Sequence, residues 1–109
     1  MTKPVSYKIL SRTISKLLAD GYPTIDQTAE RLSMSVRSLQ RRLHDLGYTY
    51  SEIVEDVRRS QACQLLRNSE VSVSRTAVLL GYRDPSSFSR AFVRWMQVAP
   101  RTYRRRYLE

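Results

Sequence analysis

The sequence has a single cysteine and a single histidine among 109 residues, and it has no long apolar run. The lone Cys63 excludes an internal disulfide and a zinc site built from several cysteines. No apolar stretch approaches the roughly 18 residues that a membrane-spanning helix needs. The N-terminal residues MTKPVSYKIL lack the long apolar core of a signal peptide. We therefore expect a cytoplasmic protein.

Groups that could perform catalysis are equally scarce. The sequence shows no Ser/His/Asp arrangement, no paired carboxylates and no phosphate-binding loop. His44 and Cys63 are far apart in the chain and make a weak catalytic pair, and no second metal ligand follows His44 at i+4. The sequence therefore predicts no enzyme, no cofactor and no metal site.

Basic residues are abundant by comparison. Nineteen lysines and arginines against ten acidic residues give a net charge of +9, which predicts a polyanionic partner such as nucleic acid. All three lysines lie at or before Lys16, and beyond it every lysine-or-arginine position is arginine. Arginine binds phosphates and guanine edges bidentately, whereas lysine acts as a point charge. The alternative is a soluble, arginine-rich helical protein without such a partner.

Apolar residues at helical spacing, together with capping signals, predict an all-α fold of about seven helices. The start and stop signals are Thr24 with Gln27, Ser35, Gly47, Thr49 with Glu52, Ser72, and Asp84 with Pro85. The predicted organisation is a first helix-turn-helix subdomain at 8–48, a connecting helix at 49–67, a second helix-turn-helix subdomain at 68–107, and tails at 1–7 and 108–109.

The two predicted subdomains are copies of one pattern. In each copy a short helix, a turn of three or four residues and a second helix follow one another, which is the spacing of a helix-turn-helix unit. The second copy has one extra residue in its turn. The matching apolar positions are Ala29, Leu32, Leu39 and Leu43 in the first copy and Ala77, Leu80, Phe88 and Phe92 in the second.

The second helix of each copy carries polar residues on the face opposite its apolar stripe. These residues are Arg37, Ser38, Gln40 and Arg41 in the first copy and Ser86, Ser89 and Arg90 in the second. Arginine pairs most readily with guanine and glutamine with adenine in the major groove of DNA. A connecting helix of roughly 25 Å, with side-chain packing at each end, could hold the two faces about 34 Å apart, which is one turn of B-DNA.

These features resemble the DNA-binding domain of AraC/XylS-family bacterial transcription regulators over about residues 8–107. The resemblance is carried by AERLSMSVRSLQRRLHDLG, VRRSQACQLL, AVLLGYRDPSSFSRAFVRW and PRTYRR. It implies base-facing roles for Arg37, Gln40, Arg41, Pro85, Ser86, Ser89 and Arg90. The chain departs from the family at Gln97, where the family commonly has the glycine that ends a helix, so we expect a strained or differently shaped turn there.

The resemblance also implies partners. Double-stranded DNA is the expected ligand, and RNA polymerase is a further candidate partner. The candidate phosphate contacts are Ser35, Arg42, His44, Arg94, Arg101, Arg104, Arg105 and Arg106. Among them, Arg42, Arg94 and the run Arg104 to Arg106 could instead be solvated charges. Family members usually carry a separate N-terminal effector or dimerisation domain, so this chain is either an excised domain or a stand-alone regulator. A basic helical adaptor that binds acidic proteins is the alternative function.

Overall fold

A computed structural model describes residues 6–108, and within this range the chain is all α-helical, which confirms the predicted fold class. A short 3-10 helix, Leu18–Asp20, follows the first α-helix. The α-helices are α1 Tyr7–Leu17, α2 Ile25–Arg31, α3 Val36–Leu46, α4 Tyr50–Leu66, α5 Val73–Leu79, α6 Pro85–Met96 and α7 Pro100–Leu108. The pairs α2–α3 and α5–α6 are the two helix-turn-helix units, and α4 runs between them.

The helices begin where local side chains can satisfy their first backbone N–H groups. The Thr24 hydroxyl accepts from the Gln27 N–H at 3.2 Å, and the Gln27 side chain accepts from the Thr24 N–H at 2.9 Å. Thr49 and Glu52 make the same reciprocal pair at the start of α4. Both capping boxes predicted from the sequence are therefore present.

The core is continuous through both halves of the molecule. α1 packs against α2 and α4, and α5, α6 and α7 also pack against α4. Phe88 and Phe92 lie on the inner face of α6 and are fully buried. The centre of the Phe92 ring lies 5.5 Å from that of Tyr103 on α7. Burial of this aromatic face of α6 leaves its opposite face at the surface.

The predicted tails need a correction at their inner ends. α1 already begins at Tyr7, where the sequence placed a tail, because Ser6 caps the helix by accepting from the Ile9 N–H. The Tyr7 hydroxyl donates to Asp56 at 3.3 Å, so this residue belongs to the fold. At the other end α7 extends through Leu108. The remaining tail positions, 1–5 and 109, lie outside the described residues.

The turn after α6 keeps a left-handed geometry although no glycine occupies it. Gln97 has φ 65° and ψ 14°, and its N–H donates to the Val93 carbonyl at 2.8 Å. α6 therefore ends at Met96. A non-glycine residue in this conformation costs about 1–2 kcal/mol, so glutamine at this position places strain in the turn.

A second connection between the halves lies beside α4, at the turn of the second helix-turn-helix unit. Gly81 has φ +81°, and a Cβ atom at this position would collide with the backbone carbonyl oxygen of Leu18 in the first half. Arg58 of α4 donates to the carbonyl oxygen of Leu80 at 3.1 Å, and its guanidinium lies 4.3 Å from the centre of the Tyr82 ring. The two halves thus meet through direct backbone packing as well as through one helix.

Candidate nucleic-acid interface

The outer face of α3 carries a row of four exposed polar side chains. Arg37, Gln40, Arg41 and His44 follow the spacing i, i+3, i+4 and i+7, which places them along one side of the helix. We call them the first outer row. Leu39 and Leu43 are buried on the other side of α3, and their burial fixes the rotation of the helix. Three of the four base-reading candidates in α3 therefore share a single exposed face.

The fourth candidate of α3, Ser38, lies beside this row rather than in it. Its hydroxyl receives a hydrogen bond from the Ser35 hydroxyl at 2.9 Å, and its backbone N–H donates to the same Ser35 oxygen at 3.0 Å. Ser35, which the sequence placed among the phosphate candidates, is thus the N-cap of α3. Both serines stabilise the start of the helix that carries the first outer row.

α6 presents an equivalent row at the same spacing. Ser86, Ser89, Arg90 and Val93 form the second outer row, in which Ser86, Arg90 and Val93 are exposed and Ser89 is half-buried. Pro85 is exposed at the first helical position. The sequence identified Ser86, Ser89 and Arg90 as candidates but gave no role to Val93, because an isolated valine in a helix reads as a core residue.

The start of α6 has its own cap. The Asp84 carboxylate accepts from the Ser87 N–H at 2.7 Å, and this hydrogen bond lowers the pKa of Asp84. Arg90 also donates weakly to the Ser87 hydroxyl, at 3.4 Å. The cap and the proline together hold the first turn of α6 in place.

The two helix-turn-helix units repeat each other in detail, which supports treating the two rows as equivalent. Thr28 and Thr76 are fully buried at matching positions of the first helices. In the turns, Ser33 with φ 55° matches Gly81, so both turns pass through the left-handed region at the same point. Leu32 and Leu80 immediately precede these residues as helix C-caps.

The candidate phosphate contacts separate into three groups in the structure. Arg101 and Arg105 of α7 line a cleft with Ser72 and Ser74 at the start of α5. The second group comprises His44 in the first outer row, Arg106, which is exposed on α7, and Arg42, which is half-buried on the flank of α3. Arg94 and Arg104 form the third group, whose side chains are engaged within the protein.

Arg94 forms an ion pair across the α4–α6 contact. Its guanidinium donates to the Glu55 carboxylate at 2.8 Å, and the Trp95 indole N–H donates to the same oxygen at 3.0 Å. The hydrogen bond from Trp95 has the larger effect, and together with the one from Arg94 it holds the pKa of Glu55 below its ordinary value. A phosphate contact by Arg94 would have to compete with this pair, which is exposed to solvent and therefore weak.

Arg104 has a structural role that the sequence did not indicate. Its guanidinium donates to the carbonyl oxygens of Leu66 at 2.9 Å and Asn68 at 3.3 Å, and also to that of Val71. The first of these carbonyls lies at the end of α4, where no intrahelical N–H is available. Arg104 thus caps the C-terminus of the connecting helix, and the phosphate role suggested for it by the sequence stays a prediction.

The chain resembles known proteins along nearly its whole length. A family model described as a helix-turn-helix domain matches residues 28–106. The ornithine utilization regulator of Pseudomonas aeruginosa is 39% identical over 105 residues, which cover 94% of this chain and 31% of the relative. This chain therefore spans about a third of the length of that curated relative.

Solved structures show the same fold. The transcriptional regulator CdpR from Pseudomonas aeruginosa is 37% identical with a TM-score of 0.74, over 91% of this chain and 31% of that one. The DNA-binding domain of the global transcriptional factor AdpA, solved in complex with a target DNA, is 27% identical with a TM-score of 0.76, over 97% of this chain and 94% of that domain.

The chain belongs to the family of AraC/XylS-type helix-turn-helix domains. This family, the regulators among its relatives and the DNA complex of a structural neighbour together support DNA-binding transcription regulation. Among residues 6–108, no helix combines the length and the apolar character that crossing a membrane requires.

Proposed function

We propose that this chain is the DNA-binding domain of a bacterial transcription regulator, and that one copy reads an asymmetric site through two successive major grooves. The observation that carries the proposal is the pair of exposed rows on α3 and α6, which occupy the same register of two repeated units. A helix that lies along the major groove contacts bases from positions spaced i, i+3, i+4 and i+7. Each outer row has this spacing.

The dimensions of the molecule support engagement of two grooves. The described residues extend over 49 × 23 × 21 Å, so the long axis exceeds the distance of about 34 Å between successive major grooves on one face of DNA. The packing of Gly81 against Leu18 limits how far the two units can move apart. Because the chain supplies two non-identical readers, the site needs no two-fold symmetry and covers about 17–20 base pairs.

The chemistry of the rows differs between the two units. The first outer row holds two arginines and a glutamine, which suit guanine and adenine, whereas the second holds one arginine beside short serines. We therefore expect the first half of the site to contribute more of the hydrogen-bonded readout. Arg101 and Arg105 supply charge for the DNA backbone near the second unit.

The proposal extends to the protein's setting in the cell. The domain acts in the cytoplasm without catalysis, and RNA polymerase is the partner through which a bound regulator would change transcription. The relative's greater length supports a further domain, N-terminal in this family, that senses an effector or dimerises.

Selection of bound sites from a random duplex library with the 109-residue chain tests the proposal. We expect one enriched asymmetric sequence, and binding that weakens steeply as salt rises, because each neutralised phosphate adds about 0.9 to the slope of log affinity against log salt. A shuffled duplex of the same composition is the matched control. Equal affinity for the enriched and shuffled duplexes would instead favour the basic adaptor.

A further inference from the structure

Val93 is an apolar residue at the surface of α6, among polar neighbours. Its side chain is 44% exposed, although the adjacent Phe92 is fully buried. It follows Arg90 by three residues, Ser89 by four and Ser86 by seven, so it is the last member of the second outer row. Packing within the fold therefore covers only part of this branched apolar side chain.

Major grooves present one apolar group for such a residue to contact, the C5 methyl group of thymine. The other groups that distinguish the base pairs there are hydrogen-bond donors or acceptors, which a valine cannot satisfy. Resting on the function proposed above, we propose that Val93 packs against a thymine methyl group in the second half of the DNA site. Val93 is thus a specificity-determining residue that adds an apolar contact to a row otherwise short of long donors.

The first outer row shows that this contact is confined to one half of the site. The position matching Val93 in α3 is His44, whose imidazole is exposed and able to form hydrogen bonds. Methyl recognition at the last row position is therefore expected from α6 and not from α3. This asymmetry also gives the experiment an internal control.

The test replaces each thymine of the selected site in turn by deoxyuridine, which keeps the hydrogen-bonding edge and lacks only the methyl group. Wild-type protein should lose about fourfold in affinity at one thymine of the second half-site, the fold-change that corresponds to about 0.8 kcal/mol for one buried methyl-sized group. Val93→Ala should bind the thymine and deoxyuridine duplexes equally at that position. Substitutions in the first half-site should affect wild type and variant alike.

Two controls keep the result interpretable. The melting temperature of Val93→Ala should match that of wild type, because the side chain is exposed. Val93→Thr keeps the shape of valine but exchanges one methyl for a hydroxyl, and it should show reduced methyl discrimination with unchanged stability.

Distinct outcomes overturn the inference and the proposed function. If a site is enriched but no second-half thymine responds to loss of its methyl group, or if Val93→Ala keeps the wild-type discrimination, Val93 does not read thymine while the proposed function stands. A selected second half-site without thymine would refute the inference in the same way. If no sequence is enriched at all, the proposed function itself fails.

Discussion

Gly81 packs so closely on the first half of the molecule that it has no room for a Cβ atom beside the carbonyl oxygen of Leu18. The same Cβ would lie 2.9 Å from the carbonyl oxygen of Gly21. Both obstacles are backbone atoms, which cannot move aside as a flexible side chain would. The turn of the second unit and the segment from Leu18 to Gly21 therefore form one joint, which together with α4 connects the two halves that carry the outer rows.

Gly81→Ala should lower stability and weaken binding to a full DNA site more than binding to either half alone. The left-handed conformation costs alanine about 1–2 kcal/mol, and the collision adds to this by forcing the halves apart. Gly47→Ala is the matched control, because Gly47 has the same φ of +81° but no atom within 4 Å of its added Cβ. Equal losses of stability in denaturant unfolding for the two variants would contradict the joint.

Phe92→Ala should destabilise the second unit severely. Phe92 is fully buried between Phe88 and Tyr103, and removal of a core phenylalanine typically costs about 3–5 kcal/mol. Loss of DNA binding would follow from loss of the fold. Val93→Ala, at the neighbouring exposed position of α6, is the control for stability and should melt like wild type. A Phe92→Ala protein that melts like wild type but fails to bind would contradict the core assignment.

Arg104→Ala and Arg105→Ala should separate a structural arginine from a phosphate contact. Arg104 donates to carbonyl groups at the end of α4, so its loss should cost about 1.5–3 kcal/mol of stability, as for hydrogen bonds to charged groups. Arg105 is exposed on the same helix; its loss should leave stability unchanged and reduce the salt slope of DNA binding by about 1. The reverse pattern, with stability lost only in Arg105→Ala, would overturn both assignments.

Arg41→Ala should lower affinity for the selected site and relax the preference at one base pair. Arg41 lies exposed in the first outer row beside Gln40, and a bidentate arginine–guanine contact contributes about 1–3 kcal/mol of discrimination. Arg59→Ala is the matched control. Arg59 lies on α4 and pairs with Asp56 at 3.4 Å, so its loss removes the same charge from another surface. A site selection with Arg41→Ala that returns the wild-type sequence would assign Arg41 to phosphate binding.

The sequence predicts those features whose causes are local. Thr24 with Gln27, and Asp84 with Pro85, are a few residues apart, so the helix starts that they define can be recognised from the order of the residues alone. Exposure of Gln40 and Arg41 follows equally from the period of the apolar residues around them.

Features that depend on distant contacts could not be predicted in this way. The carbonyl partners of Arg104 lie 33 to 39 residues earlier in the chain. The three consecutive arginines at 104–106 therefore do not indicate that one of them binds carbonyl groups within the protein. The approach of Gly81 to Leu18 joins the two halves across most of the chain, and no spacing rule reports it. Val93 is a different case, because the spacing of Ser86, Ser89 and Arg90 already places it on their face of α6, and the sequence analysis assigned it no role only because it is apolar.

Footprinting of the selected site with the 109-residue chain tests the central claim most directly. The account predicts protection of two successive major grooves on one face of the DNA, over about 17–20 base pairs. A variant combining Ser86→Ala, Ser89→Ala and Arg90→Ala should lose protection in the second groove and retain it in the first. Protection of a single groove by wild type, with the triple variant binding equally well, would show that only α3 engages DNA.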